Sequence, residues 1–212
     1  RFTHTEKPGA PEIVESVRGL VEPVLEQLRL AAETGRAADA LKLLTDLRIL
    51  CAHRLGPFGV SFWNEQGERW MCGPQGARAA WYPGRPVLVT RNDLRLGVSN
   101  GDSGVVVKVN GAIKVAFASI KQGGTADDGV RLVEPVELEA VQTAYAMTVH
   151  KSQGSEYATV ALILPPATSP LVGRELVYTG ITRAKAHLVV VGSEASMRAC
   201  IATPARRMTG LA

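Results

Sequence analysis

An Asn-Gly pair at positions 110 and 111 is the feature that most constrains the fold of this sequence. It separates two alternating apolar runs, residues 105–109 and 113–117. Asn-Gly favours the two-residue turn that joins neighbouring antiparallel strands, because both positions of that turn need positive φ. The pair therefore predicts a β-hairpin, and further short apolar runs around it extend the prediction to a small antiparallel barrel or meander over residues 84–136.

The rest of the chain alternates between helical and strand patterns, which is typical of an α/β domain. Apolar residues recur at helical spacing in some segments, and short continuous apolar runs indicate buried strands in others. Helices are predicted at 11–34, 37–47, 60–71, 175–185 and 195–202, and strands at 49–52, 144–147, 159–164 and 187–191. Pro23 lies inside the first helix and predicts a kink or a break there.

These patterns predict one parallel sheet, flanked by helices and interrupted by the β insertion. We assign residues 1–48 to a helical lead-in and residues 84–136 to the insertion. Residues 49–83 and 137–212 then form the parallel-sheet domain on either side of it.

Composition narrows the classes of function. Of the 212 residues, 46% are hydrophobic and 21% are charged, which is ordinary for a globular protein. No apolar stretch reaches the ~20 residues that span a membrane, and the chain starts without a basic and apolar leader. The three cysteines form no C-x-x-C pair. We therefore expect a cytoplasmic protein with no membrane association, no disulfide framework and no metal site.

The densest polar segment is AMTVHKSQGSE at 146–156, directly after a predicted strand. Ligands of open α/β sheets bind at the carboxyl ends of strands. Thr148, His150 and Lys151 offer hydrogen-bond donors to phosphates here, and Gly154 lets a backbone approach closely. The alternative is a solvated loop with a helix cap, and this segment alone does not decide between the two.

A second polar segment, RELVYTGITRAK at 174–185, lies on a predicted helix. Arg183 in this segment is a candidate arginine finger, whose planar guanidinium stabilises the charge that develops on a γ-phosphate. An amphipathic helix that carries a surface arginine explains the same pattern equally well.

Together the two segments closely resemble motifs V and VI of superfamily 1 DNA helicases of the 5′-to-3′ branch. Within that branch they are most similar to the RecD family, the alpha subunits of exodeoxyribonuclease V, through TVHKSQGSE at 148–156 and RELVYTGITRA at 174–184. Three more segments resemble that family: LCAHRLGPFGV at 50–60, GRPVLVTRNDLRLGVSNGDSG at 84–104 and RRMTGL at 206–211. The resemblance implies a RecA-like second motor domain for the parallel sheet and a barrel of Src-homology-3 type for the insertion.

The resemblance also implies roles for individual residues. Arg183 is the implied catalytic residue that contacts the γ-phosphate. The residues implied to contact ATP are Gly154, Glu156, Arg54 and Arg183. The residues implied to contact DNA are Thr148, His150, Lys151, Arg91 and Asn92. Basic residues also outnumber acidic ones by six to two between positions 84 and 121, which favours a surface that faces the phosphate backbone.

The resemblance further implies that the intact protein uses ATP and Mg²⁺, which an N-terminal motor domain binds for the most part. The present chain contains no G-x-x-x-x-G-K-[ST] phosphate loop. An arginine at the γ-phosphate cannot catalyse hydrolysis without the loop that holds the phosphates. We therefore expect this chain alone neither to hydrolyse ATP nor to unwind DNA.

For the intact protein, the resemblance implies 5′-to-3′ movement on single-stranded DNA beside the RecB and RecC subunits, in double-strand break repair and recombination. Two alternatives stay open at this point. One is a non-catalytic DNA-binding or subunit-assembly module, in which residues 1–50 and the three tryptophans dock partner subunits. The other is a stand-alone RecD-like helicase without RecB and RecC, although the RRMTGL tail favours the complex-forming type.

Overall fold

The computed structural model describes residues 2–5, 7, 9–119 and 129–204. The helices in this part of the chain are α1 Pro11–Glu33, α2 Ala37–Leu43, α3 Val60–Cys72, α4 Arg174–Ile181 and α5 Glu194–Ala202. The strands are β1 Phe2–His4, β2 Leu47–Cys51, β3 Pro86–Val89, β4 Ser103–Val109, β5 Ala112–Ala118, β6 Val130–Val133, β7 Val141–Thr143, β8 Ala146–Thr148, β9 Tyr157–Ile163 and β10 Ala184–Gly192. The RRMTGL tail at 206–211 lies outside the described residues.

Five strands form a parallel sheet in the order β1-β10-β9-β2-β8. Helices α1, α2 and α3 pack on one face of this sheet, and α4 and α5 pack on the other. Alternate residues of β2 show the two layers: Ile49 and Cys51 enter the core with α1, whereas Leu50 enters the core with α4. The sheet is covered on both faces, so its strands are continuous apolar runs, and the predicted α/β class is confirmed.

Three local predictions differ from the structure. The first residues, assigned to a helical lead-in, also contribute β1, which pairs with β10 at the edge of the parallel sheet. The first helix continues through Pro23 without the predicted break, and a kink there stays a prediction. The helix predicted to reach residue 185 ends at Ile181, because Ala184 already pairs with Tyr157 of β9.

The remaining five strands form an antiparallel sheet in the order β6-β5-β4-β3-β7. The predicted hairpin joins β4 to β5, with φ of 50° at Asn110 and 83° at Gly111. Val105 and Val107 of β4 pack toward α1 and α2, whereas Val106 packs into a separate core inside the insertion. Closure of this sheet into a barrel stays a prediction.

The antiparallel sheet extends beyond residue 136, where the insertion was predicted to end. Strand β7 pairs with β3 and carries the sheet to Thr143, so only residues 144–145 separate it from β8 of the parallel sheet. The side chain of Asn64 on α3 bridges this short link. Its Oδ1 accepts a hydrogen bond from the Ala146 amide at 2.8 Å, and its Nδ2 donates to the Thr143 carbonyl at 3.0 Å. These bonds fix β8 relative to the insertion.

Candidate functional site

The polar segment after β8 does not stay at the carboxyl edge of the sheet. Residues 149–156, which we call the crossover segment, run from the end of β8 to the start of β9. Strand β2 lies between those two strands. The segment therefore starts at the carboxyl edge of the parallel sheet and ends at its amino edge. A single stretch of chain thus reaches both edges.

The crossover segment is fixed by its own backbone and by the sheet. The Val149 amide donates to the Cys51 carbonyl at 3.0 Å, and the buried Ser152 hydroxyl donates back to the Val149 carbonyl at 2.6 Å. A single 3-10 turn over His150–Ser152 follows from this arrangement. Gly154 has a φ of 86°, a left-handed conformation in which a side chain is strained. The segment is therefore ordered, although His150, Lys151 and Gln153 are exposed.

Arg183 lies at the amino edge, between the end of α4 and the start of β10. Its Nη1 donates to the Ser155 carbonyl at 2.9 Å and its Nε to the Thr179 carbonyl at 3.3 Å. Its Nη2 lies 3.2 Å from the Thr182 hydroxyl. The Arg183 carbonyl in turn accepts a hydrogen bond from the Tyr157 amide at 2.8 Å. The guanidinium is thus held against the end of the crossover segment.

Glu156 directly follows Ser155, whose carbonyl holds the Arg183 guanidinium. Its carboxylate pairs with the Lys185 ammonium at 3.0 Å, and both side chains are more than half exposed, at 55% and 63%. Glu156 and Arg183, both predicted to contact ATP, are therefore brought to the same edge of the sheet, along with Gly154. Their roles toward ATP stay predictions.

The crossover segment, α4 and α5 enclose an open groove of about 800 Å³. His150 and Gln153 line it from the crossover segment, and Glu175, Tyr178 and Thr179 line it from α4. Thr179, whose carbonyl accepts a hydrogen bond from Arg183, therefore lines the same groove as His150. His150 and Arg183 are therefore on the same face of the parallel sheet.

A smaller cleft of about 300 Å³ lies at the carboxyl edge, beside the link between the two sheets. We call it the junction cleft. Arg54, Thr148 and Lys151 line it, together with Ser61, Asn64, Gln142, Thr143 and Val60. Arg54 was predicted to contact ATP, yet it shares this cleft with two residues that were predicted to contact DNA.

Arg91 and Asn92 lie apart from these residues, in the loop after β3. Arg91 pairs with Glu139 at 3.1 Å, and both side chains are strongly exposed. The Asn92 Oδ1 accepts a hydrogen bond from the Asn100 amide at 2.7 Å and so stabilises a loop of the insertion. Within the described part of the chain, no hydrogen bond or ion pair joins Arg91 or Asn92 to a residue that lines the junction cleft.

Sequence reasoning missed three residues that organise the site. Lys185 is the partner of Glu156, and Asn64 orients β8, but neither stands out among the other polar residues. Arg48 is a charged residue inside the apolar run Leu47–Cys51, and this interruption was a signal that could have identified it. Its guanidinium is buried in the core of the parallel sheet.

Known proteins identify the family. Residues 143–191 match the model of the UvrD-like helicase C-terminal domain. This range includes the crossover segment and α4. The chain is 46% identical over 200 residues to the RecBCD enzyme subunit RecD of Mycolicibacterium smegmatis, which covers 93% of this chain and 34% of the relative. Other RecD subunits match at 30% to 42% identity. The chain belongs to the RecD family.

The chain also resembles a protein of a different name, the ATP-dependent RecD2 DNA helicase of Deinococcus radiodurans. The two are 36% identical over 152 residues, which covers 69% of this chain and 20% of the relative. Two of the RecD subunits match nearly the whole of this chain, and the chain spans about a third of their length. It corresponds to the part of RecD that carries the helicase C-terminal domain.

Among solved structures, the crystal structure of Pif1 helicase from Bacteroides in complex with ADP-AlF3 and ssDNA is similar at a TM-score of 0.41. That match has 15% sequence identity and covers 93% of this chain and 51% of the other. A TM-score this low assigns neither fold nor function. In the residues with described positions, no helix combines the length and the apolar character needed to cross a membrane.

Proposed function

We propose that this chain is the second motor domain, with its insertion, of an ATP-dependent 5′-to-3′ DNA helicase subunit of exodeoxyribonuclease V. The intact cytoplasmic protein would move on single-stranded DNA beside RecB and RecC, in double-strand break repair and recombination. The observation that carries this proposal is the guanidinium of Arg183 anchored to the carbonyl of Ser155, at one end of a segment whose other end reaches the junction cleft. Membership of the RecD family supports it.

Arg183 has the donors that an arginine finger needs. A guanidinium carries five N–H groups, and the bonds to Ser155, Thr179 and Thr182 use three of them. Two N–H groups are left for the oxygens of a γ-phosphate. Because the side chain is ordered beforehand, little reorganisation is needed when charge develops on the phosphoryl group. The preceding motor domain would supply the phosphate loop and hold the Mg²⁺ that accompanies ATP.

Glu156 is suited to bind the ribose of the same nucleotide. Its ion pair with Lys185 is exposed, and such pairs contribute only about 0–1 kcal/mol. The carboxylate can therefore exchange the lysine for a ribose hydroxyl at little cost. This would bring Arg183 and Glu156 to the same ATP molecule.

The junction cleft is suited to bind the phosphate backbone of single-stranded DNA. Arg54 and Lys151 supply positive charge, and Thr148 and Ser61 supply hydroxyl groups. Such contacts position a strand without reading its sequence. We therefore assign Arg54 to DNA rather than to ATP. A shift of the crossover segment on closure over ATP would move Lys151 with it and would pull on Thr148, which directly precedes the segment.

The nucleotide part of the proposal is tested by replacing Arg183 with alanine in the intact protein. Loss of an arginine finger lowers turnover by about 10³-fold or more, so DNA-stimulated ATP hydrolysis should fall to near background with a normal melting temperature. The matched control is Arg174→Ala, at the other end of α4, which should keep turnover. Full turnover in the Arg183 variant would instead favour the assembly module, in which the motifs are inert.

The DNA part is tested by the salt dependence of single-stranded DNA binding. Each phosphate contact adds a slope of about 0.7 to the plot of log K against log salt for single strands. Lys151→Ala and Arg54→Ala should each lower that slope by about this amount, whereas Arg36→Ala, on an exposed pair at the start of α2, should leave it unchanged. An unchanged slope for both cleft variants would remove DNA from the junction cleft.

The proposal also makes a statement about this chain in isolation. Since it has no phosphate loop, the purified 212-residue chain should show no ATP hydrolysis above background, with or without DNA. DNA unwinding by the intact protein, purified with and without RecB and RecC, then separates the complex-forming type from a stand-alone helicase. Only the stand-alone type is expected to unwind DNA without the two partners.

A further inference from the structure

Arg48 on β2 is buried, and no acidic side chain among the described residues pairs with it. Its side chain is part of a residue that is 2% exposed, and no ion pair is found for it within the described residues. Its Nη2 donates to the Leu44 carbonyl at 3.2 Å, and its Nη1 donates to the Ala144 carbonyl. Its Nε has no hydrogen-bond partner in the described part of the chain. Across the residues with described positions, the charge is therefore balanced by carbonyl dipoles and by a neighbouring ring.

Stability alone does not explain an arginine at this position. Burial of a charge without a countercharge is unfavourable, and a donor left without an acceptor adds to that cost. An apolar side chain of similar volume, such as methionine, would avoid both terms. The position of the guanidinium therefore suggests a role other than filling the core.

The guanidinium lies between the two ends of the proposed mechanism. Toward the ATP end, its carbon is 5.0 Å from the centre of the Tyr157 ring, within the range of a cation–π contact. Tyr157 follows the crossover segment, and its amide bonds to the Arg183 carbonyl. Toward the DNA end, Arg48 binds the carbonyl of Ala144, in the link that leads into β8 and Thr148.

We propose that Arg48 is a positioning residue that couples ATP hydrolysis to DNA binding, an inference that rests on the function proposed above. A displacement of Tyr157 shifts its ring, which lies against the Arg48 guanidinium. Because the guanidinium is a rigid planar fork in a close-packed core, its bond to the Ala144 carbonyl must shift or break. Ala144 lies two residues before β8, so the change reaches the junction cleft through a second path beside the crossover segment.

The test compares ATP turnover by the intact protein without DNA and with saturating single-stranded oligothymidylate. Coupling between two sites is commonly worth 5- to 150-fold, so Arg48→Met should lower the stimulation by DNA about tenfold, with DNA-free turnover within about twofold of wild type. Arg48→Lys keeps the charge but not the planar fork, so its stimulation by DNA should lie between those of Arg48→Met and wild type.

The ring is tested separately. Tyr157→Leu should lower the stimulation as Arg48→Met does, and Tyr157→Phe, which keeps the ring and loses only the weak hydroxyl contact to the Met147 sulfur, should restore it. The double variant of Arg48→Met and Tyr157→Leu should be no worse than either single variant. The matched control is Arg198→Met, on an exposed helical pair of α5, which should leave stimulation unchanged.

A purely structural role gives a different result. If both turnover rates fell in parallel with the folded fraction, or if stimulation stayed at the wild-type ratio, Arg48 would be only a core residue. Should Arg48→Met fail to fold, Arg48→Lys and Tyr157→Leu decide the question. Failure of the function proposed above is detected separately. In that case Arg183→Ala would retain ATP turnover, whatever the Arg48 variants do.

Discussion

Replacing Gly67 by alanine should destabilise the protein, although alanine is the better helix former. Gly67 is buried on α3 and faces Tyr145 in the link between the two sheets. A Cβ atom at residue 67 would lie 2.6 Å from the Cβ of Tyr145 and 2.4 Å from its Cγ. These distances are far below van der Waals contact, so either α3 or the link must move.

The magnitude follows from two opposing terms. Removing a helical glycine gains about 1 kcal/mol, whereas inserting a methyl group into a packed core costs about 1–3 kcal/mol. Tyr145 cannot turn away easily, since it is 6% exposed and its hydroxyl is 3.0 Å from that of Tyr82. The cost therefore lies at the upper end, and the net loss is about 2 kcal/mol. For a chain of this size that lowers the melting temperature by about 4–8 °C.

Thermal unfolding followed by circular dichroism measures this, with Gly19→Ala as the control. Gly19 lies on the exposed face of α1, and a Cβ there meets no atom of the described residues within 4 Å. The same substitution should therefore raise the melting temperature by about 2–4 °C. A Gly67→Ala variant that melts at or above the wild-type temperature would refute the packing of α3 against the link.

Three further predictions concern the anchor of Arg183, a buried thiol and the exposed carboxylate. Thr182→Val removes one of the three acceptors that hold the Arg183 guanidinium and should lower ATP turnover of the intact protein by about tenfold, as expected for loss of about 1.4 kcal/mol of positioning; Thr179→Val, which keeps the carbonyl acceptor, should not. Burial raises the pKa of Cys51, so the folded form is favoured below the ordinary thiol pKa of 9.0 and loses stability as the pH rises above it. This thiol lowers the unfolding free energy by up to about 1.4 kcal/mol per pH unit in that range. Cys51→Ala removes this loss, so the melting temperature should fall less between pH 9 and 11 than it does in the wild type. Glu156→Gln should shift the melting temperature by less than about 3 °C, because its ion pair is exposed, but should raise the KM for ATP.

Much of the fold was predictable because the relevant signals are local. The Asn110-Gly111 turn needs only its own backbone preferences, and the hairpin it predicts is present. The buried strands of a parallel sheet are apolar on both faces, so the runs at β2 and β9 indicated strands directly. The helix over α3 was likewise predicted to within one residue.

The remaining features depend on partners distant in sequence. Residues 2–4 form a strand only because β10 offers an open edge, which their own composition does not reveal. The helix of α4 ends early because Ala184 pairs with Tyr157. In the site, motif resemblance singled out Arg183, but only the folded chain shows which carbonyls hold it. The place of Arg54 beside Lys151 likewise follows from the packing of two sheets and not from spacing along the chain.

The length of the crossover segment gives a physical reason why its two ends act together. Thr148 and Ile163 both pair with Cys51, so they lie at the same level of the sheet, whereas Tyr157 is six residues earlier on β9. At about 3.3 Å per residue along the strand and about 4.8 Å between neighbouring strands, the segment must span about 22 Å. Its 3-10 turn rises only about 2 Å per residue, so the segment reaches at most about 28 Å. With so little slack, a displacement of His150 by more than a few ångströms must also move the end that anchors Arg183.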